Sequence, residues 1–202
     1  MRNPSRHRPL RTIAFGAALL FLAIGTLSGC MATPAPANTS SPTAVVTPAP
    51  TKAAPIFASN DEALAAATAT YSAYLSAGDV AGKIGSDSWN EYLSFTTGAE
   101  HDGVVSSRKK TEEGGRSFTG TTSFDSMTVQ MSSALPDETW EIRTYVCLDI
   151  SESTMVDATG QSVSSPDRQV RWPMVIAFIT PTSNSSQLLI SESRAWSGSN
   201  FC

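Results

Sequence analysis

The chain has 202 residues and carries 14 Lys and Arg against 18 Asp and Glu, which gives a formal net charge of −4. That length suits one domain of ordinary size with its own hydrophobic core. The excess of acidic residues repels phosphate backbones, so we expect no nucleic acid among its partners.

Residues 1–29 predict a secretory signal peptide. Four arginines within residues 1–12 form a positively charged start, and Ile13 to Leu27 is apolar or small apart from Thr26. An apolar run of 15 residues is short for a membrane span and typical of the core of a signal peptide. A retained transmembrane anchor is the alternative. Without this segment, ten basic and eighteen acidic residues remain, for a net charge of about −8.

The four residues Leu27-Ser28-Gly29-Cys30 follow this apolar run and resemble the lipobox of bacterial lipoproteins. The resemblance implies that Cys30 receives a diacylglyceryl thioether and becomes the first residue of the mature chain. We therefore expect a lipid anchor on the extracytoplasmic face of the cell membrane. Acyl chains would carry the membrane contact, because an acidic domain is repelled by anionic headgroups.

Residues 30–55 predict a spacer between this anchor and the folded domain. Six prolines lie in residues 31–55 among Ala, Thr, Ser and Val. Such a segment has nothing large to bury and favours extended backbone conformations. The folded domain is therefore expected to span residues 56–202.

Two helices are predicted at the start of that domain. Ser59 and Glu62 have the spacing of a capping box, which marks a helix start, and Gly78 predicts the helix end. Apolar residues recur at helical spacing between them: Leu64, Ala67, Tyr71 and Leu75. A weaker helix is expected between Ser88 and Gly98. The polar stretch 99–117 predicts a largely solvated connection, with a short helix near residues 106–113 as the alternative.

From Phe118 onward the apolar pattern has a period of two, which predicts β-strands. The predicted strands span residues 118–131, 139–150, 168–180 and 187–196. A change of phase near Asp125 predicts a bulge in the first. Pro173 predicts that the third strand lies at an edge or contains a bulge. Asp157 and Gly160 have the spacing of a turn.

Helices followed by about four antiparallel strands indicate an α+β domain with the helices packed on a curved sheet. Three segments make the fold prediction more specific: Cys147-Leu148-Asp149-Ile150-Ser151, Val156-Asp157-Ala158-Thr159-Gly160 and Phe201-Cys202. They resemble a group of uncharacterised secreted proteins and lipoproteins of actinobacteria. The resemblance implies an NTF2-like (cystatin-like) cone with a strongly curved sheet, a disulfide, and no particular activity.

Cysteine usage agrees with an extracytoplasmic location. Once Cys30 is assigned to lipid, Cys147 and Cys202 remain as a pair, and outside the cytoplasm two thiols in a small domain usually form a disulfide. Two unrelated buried thiols are the alternative.

Few residues suggest catalysis. His101 is the single histidine after residue 29, so no multi-histidine metal site is possible, and we expect no metal or cofactor. Ser107 and Lys110 match a Ser-x-x-Lys pattern without the other motifs of penicillin-recognising enzymes. The enzyme alternative places Asp125, Asp149 and Arg143 inside an NTF2-like cone as acid–base groups. It requires the three side chains to converge in a closed apolar pocket.

The leading hypothesis is a non-catalytic binding or accessory domain at the cell envelope. Its partner would be a small ligand or an unknown envelope protein. The four tryptophans are expected to contribute to the core and to pocket walls: Trp89, Trp140, Trp172 and Trp196.

Overall fold

A computed structural model describes residues 55–83 and 85–202 of the chain. The predicted signal peptide, Cys30 and the spacer up to residue 54 lie outside the described residues. The helices are α1 (Asn60–Ala81), α2 (Trp89–Leu93) and α3 (Gly98–Glu113). The strands are β1 (Ser117–Gly120), β2 (Ser123–Ala134), β3 (Trp140–Asp149), β4 (Ser153–Val156), β5 (Arg171–Ile179) and β6 (Leu189–Ala195).

Helix α1 begins as its capping pattern predicts. The Ser59 hydroxyl accepts a hydrogen bond from the Glu62 N–H at 3.1 Å, and the Glu62 carboxylate accepts one from the Ala58 N–H at 2.7 Å. The predicted end at Gly78 is wrong, because the helix continues to Ala81. A Cβ atom at position 78 would lie 2.9 Å from the ring of Tyr92. The glycine therefore makes room for an aromatic ring and does not end the helix.

Strands β2, β3, β5 and β6 form one antiparallel sheet in the order β2-β3-β5-β6, which confirms the predicted α+β class and a sheet of about four antiparallel strands. The inner face of β3 presents Ile142 and Val146, and that of β5 presents Ile176 and Phe178; all four are fully buried. Helix α1 packs its buried face onto this surface. This burial of alternate strand residues is what the period of two predicted.

The first predicted strand is in fact two strands. Strand β1 pairs with β4, a strand that was not predicted, in a separate two-stranded sheet. The chain turns at Gly120, whose φ is +89° and where a Cβ would meet the Glu152 carbonyl oxygen. The expected bulge is confirmed: the β2–β3 register shifts between Asp125 and Thr128, with Ser126 at φ +57°.

Pro173 predicted an edge strand or a bulge. The edge strand is wrong, because β5 lies inside the sheet, whereas the register of β5 and β6 does shift, between Ala177 and Phe178. The pairing of β5 with β6 extends only to Met174, opposite Ala195. Opposite Trp196 the ladder ends: the Trp196 N–H donates to the Pro173 carbonyl oxygen at 2.7 Å, and the proline has no N–H to return the bond.

Residues 98–113 form helix α3, where a solvated connection was predicted; the alternative of a short helix near residues 106–113 is correct but too short. Gly98 begins this helix where it was expected to end the previous one. Val104 is the only buried residue of α3, so the apolar periodicity that would reveal it is absent. Pairs four residues apart support the helix: Arg108 with Glu112, and Lys109 with Glu113.

The C-terminal segment after β6 crosses the outer face of the sheet. The ring of Tyr145 on β3 packs against Trp196 and Phe201, with centroid distances of 4.9 and 5.5 Å. Cys147 and Cys202 form a disulfide with their Cα atoms 5.5 Å apart, which confirms the predicted pair. The last residue is thus fixed to the central part of the sheet.

Candidate functional site: a cavity between helices and sheet

A cavity of about 920 Å³ lies between the three helices, the small sheet of β1 and β4, and the inner face of the four-stranded sheet. Its volume is in the range of pockets that bind small molecules. Aromatic and aliphatic side chains form most of its interior, among them Tyr71, Tyr74, Leu75, Trp89, Tyr92, Val104 and Leu148. We regard this cavity as the candidate functional site.

Aromatic rings build one wall of the cavity. The rings of Tyr74 and Tyr92 stack with a centroid distance of 4.9 Å, and Trp89 meets Tyr92 edge-on at 5.3 Å. On the sheet side, Tyr71 contacts Phe124 edge-on at 4.9 Å. Rings held by several neighbours lose little further freedom when a ligand packs against them.

A chain of hydrogen bonds crosses this wall. The Tyr92 hydroxyl donates to the Tyr74 hydroxyl at 2.9 Å, and the Tyr74 hydroxyl donates to the Glu100 carboxylate at 2.6 Å. A backbone hydrogen bond from Ser193 also reaches this carboxylate. Because each hydroxyl has only one proton to donate, the oxygen of Tyr92 keeps a lone pair for a donor on a ligand.

Burial sets the protonation of these groups. It raises the pKa of the Glu100 carboxyl, against the opposing effect of the Tyr74 hydrogen bond. It raises the pKa of Tyr92 to about 12 and also raises the pKa of Tyr71 and Tyr74. The tyrosines therefore stay neutral at physiological pH and serve as hydrogen-bonding groups.

The charged residues of the cavity are mostly basic: Lys83, Arg108, Arg116 and Arg168, with Asp79 and Glu112 as the acidic members. The Arg108 guanidinium lies 4.4 Å from the centroid of the Trp89 ring and pairs with Glu112 at 2.5 Å. Arg168 donates to the carbonyl oxygens of Ile150 and Ser153. These contacts fix two of the four basic groups.

The aspartates proposed for acid–base catalysis lie outside this cavity. Asp125 and Asp149 face outward and share Arg171, at 2.8 and 3.0 Å. The hydrogen bond from Arg171 lowers the pKa of Asp125, and chiefly the hydrogen bond from the Ser151 N–H lowers the pKa of Asp149. A general acid at neutral pH needs a raised pKa, which is the opposite direction.

Arg143 occupies a separate part of the same outer face. Its guanidinium pairs with Glu141 at 2.8 Å and with Glu192 at 3.4 Å. The structure therefore unites the two aspartates through another arginine and leaves Arg143 apart from them. The convergence in an apolar pocket that the enzyme alternative requires is absent.

His101 and the tryptophans differ in part from expectation. His101 falls in the stretch predicted to be a solvated connection; it lies on α3, half-buried, with Nδ1 3.0 Å from the Thr96 hydroxyl. Trp89 lines the cavity and Trp140 packs against the core. Trp172 is 36 % exposed and Trp196 covers the outer face, so these two form neither core nor pocket wall.

Sequence reasoning missed the carboxylate that accepts a hydrogen bond from Tyr74 behind the aromatic wall of the cavity. Glu100 lies in the stretch predicted to be a connection, and no periodic signal marks it as inward-facing.

The described residues contain no group of three His, Cys, Asp or Glu side chains placed to hold a metal ion. They also contain no helix with the length and apolar character needed to cross a membrane.

Comparison with known proteins leaves the family open. No protein family and no curated protein matches the sequence. Among solved structures, the chain is similar to the intermembrane space region of the chloroplast protein ARC6, with a TM-score of 0.47 and 12 % identity over 65 % of this chain and 95 % of that one. The function must therefore be argued from the geometry of the cavity.

Proposed function

We propose that this protein is a lipid-anchored lipoprotein of the cell envelope whose NTF2-like domain binds a small molecule without transforming it. The supporting observation is the aromatic cavity of about 920 Å³ between helices and sheet. Helices covering one face of a four-stranded antiparallel sheet, with a cavity between the two layers, suit the proposed NTF2-like fold.

Binding without catalysis is supported by the chemistry of the cavity. Its walls offer apolar area, and Tyr92 offers one oriented acceptor. The acid–base candidates Asp125 and Asp149 are absent from its lining. A cavity with these groups holds and orients a ligand by burial and hydrogen bonding.

The cavity is tested by filling it. We would titrate N-phenyl-1-naphthylamine, a neutral apolar fluorescent probe, into the mature chain carrying Cys30→Ser. Ser107 lines the cavity, whereas its neighbour Ser106 does not. Ser107→Trp places a large side chain in the cavity and should weaken probe binding by about tenfold or more. A tenfold change corresponds to a loss of ~1.4 kcal/mol of binding free energy. Ser106→Trp is the matched control and should bind like the parent. Equal binding by both variants would place the probe elsewhere.

The anchor is tested separately in cells. Mass spectrometry of the mature N-terminus should find Cys30 carrying a diacylglyceryl group, and the Cys30→Ser variant should leave the membrane fraction. An unlipidated terminus at Met31 or Ala32 would contradict the anchor. So would a Cys30→Ser variant that fractionates with membranes as the wild type does. Neither result bears on the cavity.

A further inference from the structure

We propose that the cavity binds an anionic amphiphile, with the apolar part inside and a carboxylate or phosphate at the rim. This inference rests on the proposed function, since it names the ligand class of the same cavity. Two observations support it. Basic side chains are concentrated at the cavity, and the side chains change from basic at the rim to buried and mostly apolar in the interior.

The charge of the cavity is opposite to that of the domain around it. Residues 55–202 contain nine basic and eighteen acidic side chains. Four of the basic and only two of the acidic side chains line the cavity, for a local formal charge of +2. A net acidic protein repels anions at long range, but at contact distance the neighbouring charges dominate because salt screens the distant ones. An anion is therefore favoured at the cavity despite the acidity of the domain as a whole.

Two of the basic groups are available to a ligand. Lys83 and Arg116 are exposed, and neither forms an ion pair with a carboxylate in the part of the chain that the structure describes. Arg116 reaches only the sulfur of Met155, at 4.0 Å. Their backbone segments are neighbours, because the Phe118 N–H donates to the Gly82 carbonyl oxygen at 2.9 Å. A carboxylate or phosphate at this edge of the cavity is attracted by both charges.

The interior excludes an anion and favours apolar groups. Tyr71, Tyr74 and Val104 are buried, and the Glu100 carboxylate lies behind the tyrosines. An anionic head placed inside would be desolvated and would face another carboxylate, both of which are unfavourable. A ligand with one anionic and one apolar end avoids both costs when its anion stays at the rim.

Four ligands with the same ten-carbon chain test this by calorimetric titration of the mature chain carrying Cys30→Ser: decanoate, decyl phosphate, decanol and decyltrimethylammonium. The Kd of each anionic ligand should be lower than that of decanol by about tenfold or more, and the cationic ligand should have the highest Kd of the four. Comparison of decanoate with decyl phosphate distinguishes the two kinds of head. If decanol or the cationic ligand binds as tightly as the anions, the charge inference is wrong while the binding cavity stands. If none of the four binds, both proposals fail.

A pair of double variants assigns the effect to the rim. Lys83→Glu with Arg116→Glu should weaken decanoate binding by about tenfold or more and leave decanol binding unchanged. Lys109→Glu with Lys110→Glu changes the net charge equally, on exposed positions of α3 outside the cavity lining. This control should bind decanoate like the parent. Equal losses in both double variants would show a general charge effect and overturn the proposed rim site.

Discussion

Removal of the disulfide between Cys147 and Cys202 provides a quantitative test of how the C-terminal segment stabilises the domain. Cys147 is buried on β3, whereas Cys202 is exposed at the end of the chain. Cys202→Ala therefore breaks the cross-link without opening a cavity in the core. Cys147→Ala would remove buried atoms as well and confuse the two effects.

The expected loss follows from the length of the loop that the disulfide closes. The two cysteines are 55 residues apart, and loop-closure entropy for such a loop amounts to about 4 kcal/mol in the free energy of unfolding. For a domain of this size that corresponds to a fall in Tm of about 10 °C. Tyr145 can still contact Trp196 and Phe201 without the disulfide. The C-terminal segment then loses more conformational entropy when it packs onto the sheet, which lowers the free energy of unfolding.

Guanidinium denaturation followed by tryptophan fluorescence measures this loss. Oxidised wild type, reduced wild type and Cys202→Ala should be compared at one protein concentration. The reduced wild type and the variant should coincide, because both lack the same cross-link. A loss below about 1 kcal/mol would refute the loop-closure argument. A reduced wild type that is clearly more stable than the variant would show that the Cys202 side chain acts through contacts instead.

Three further predictions concern the cavity and the outer face. Gly78→Ala should lower the free energy of unfolding by about 1–3 kcal/mol, because the new Cβ overlaps the Tyr92 ring; Gly103→Ala, whose Cβ meets nothing within 4 Å, should raise it by about 0.4–1 kcal/mol. Burial raises the pKa of Glu100 above its ordinary 4.5, so the stability it contributes is present below that pH and is lost as the pH rises through the folded-state value. Glu100→Gln should flatten this decline in denaturation curves measured from pH 4 to 8, and an unchanged slope would contradict it. Arg171→Gln should leave binding of the fluorescent probe unchanged, since Arg171 lies on the opposite face of the sheet, and a weakened titration would refute that assignment.

Elements with a strong local signal were predictable. Ser59 and Glu62 marked the start of α1 because capping is a contact between residues three or four apart. Alternation along β3 predicted its buried face because every second side chain points to the same side. The disulfide followed from the pairing of the two remaining cysteines in the inferred compartment.

Elements defined by distant contacts were not predictable in this way. Helix α3 buries only Val104, so its sequence has the composition of a solvated connection. Gly78 resembles a helix end until the ring of Tyr92 is seen to pack on it. Asp125 and Asp149 resembled catalytic residues, but their orientation depends on strand register and on Arg171, which lies 46 residues after Asp125.

The sequence by itself determined the α+β class and the acidic character of the domain, because these follow from local periodicity and composition. It also predicted the cysteine pair, through the inferred compartment. Only the tertiary structure decided where the functional site lies. The cavity gathers Tyr74, Tyr92 and Val104 from three helices, and its basic rim gathers Lys83 and Arg116 from segments far apart in the chain. Such a site is created by packing, and no stretch of sequence contains it.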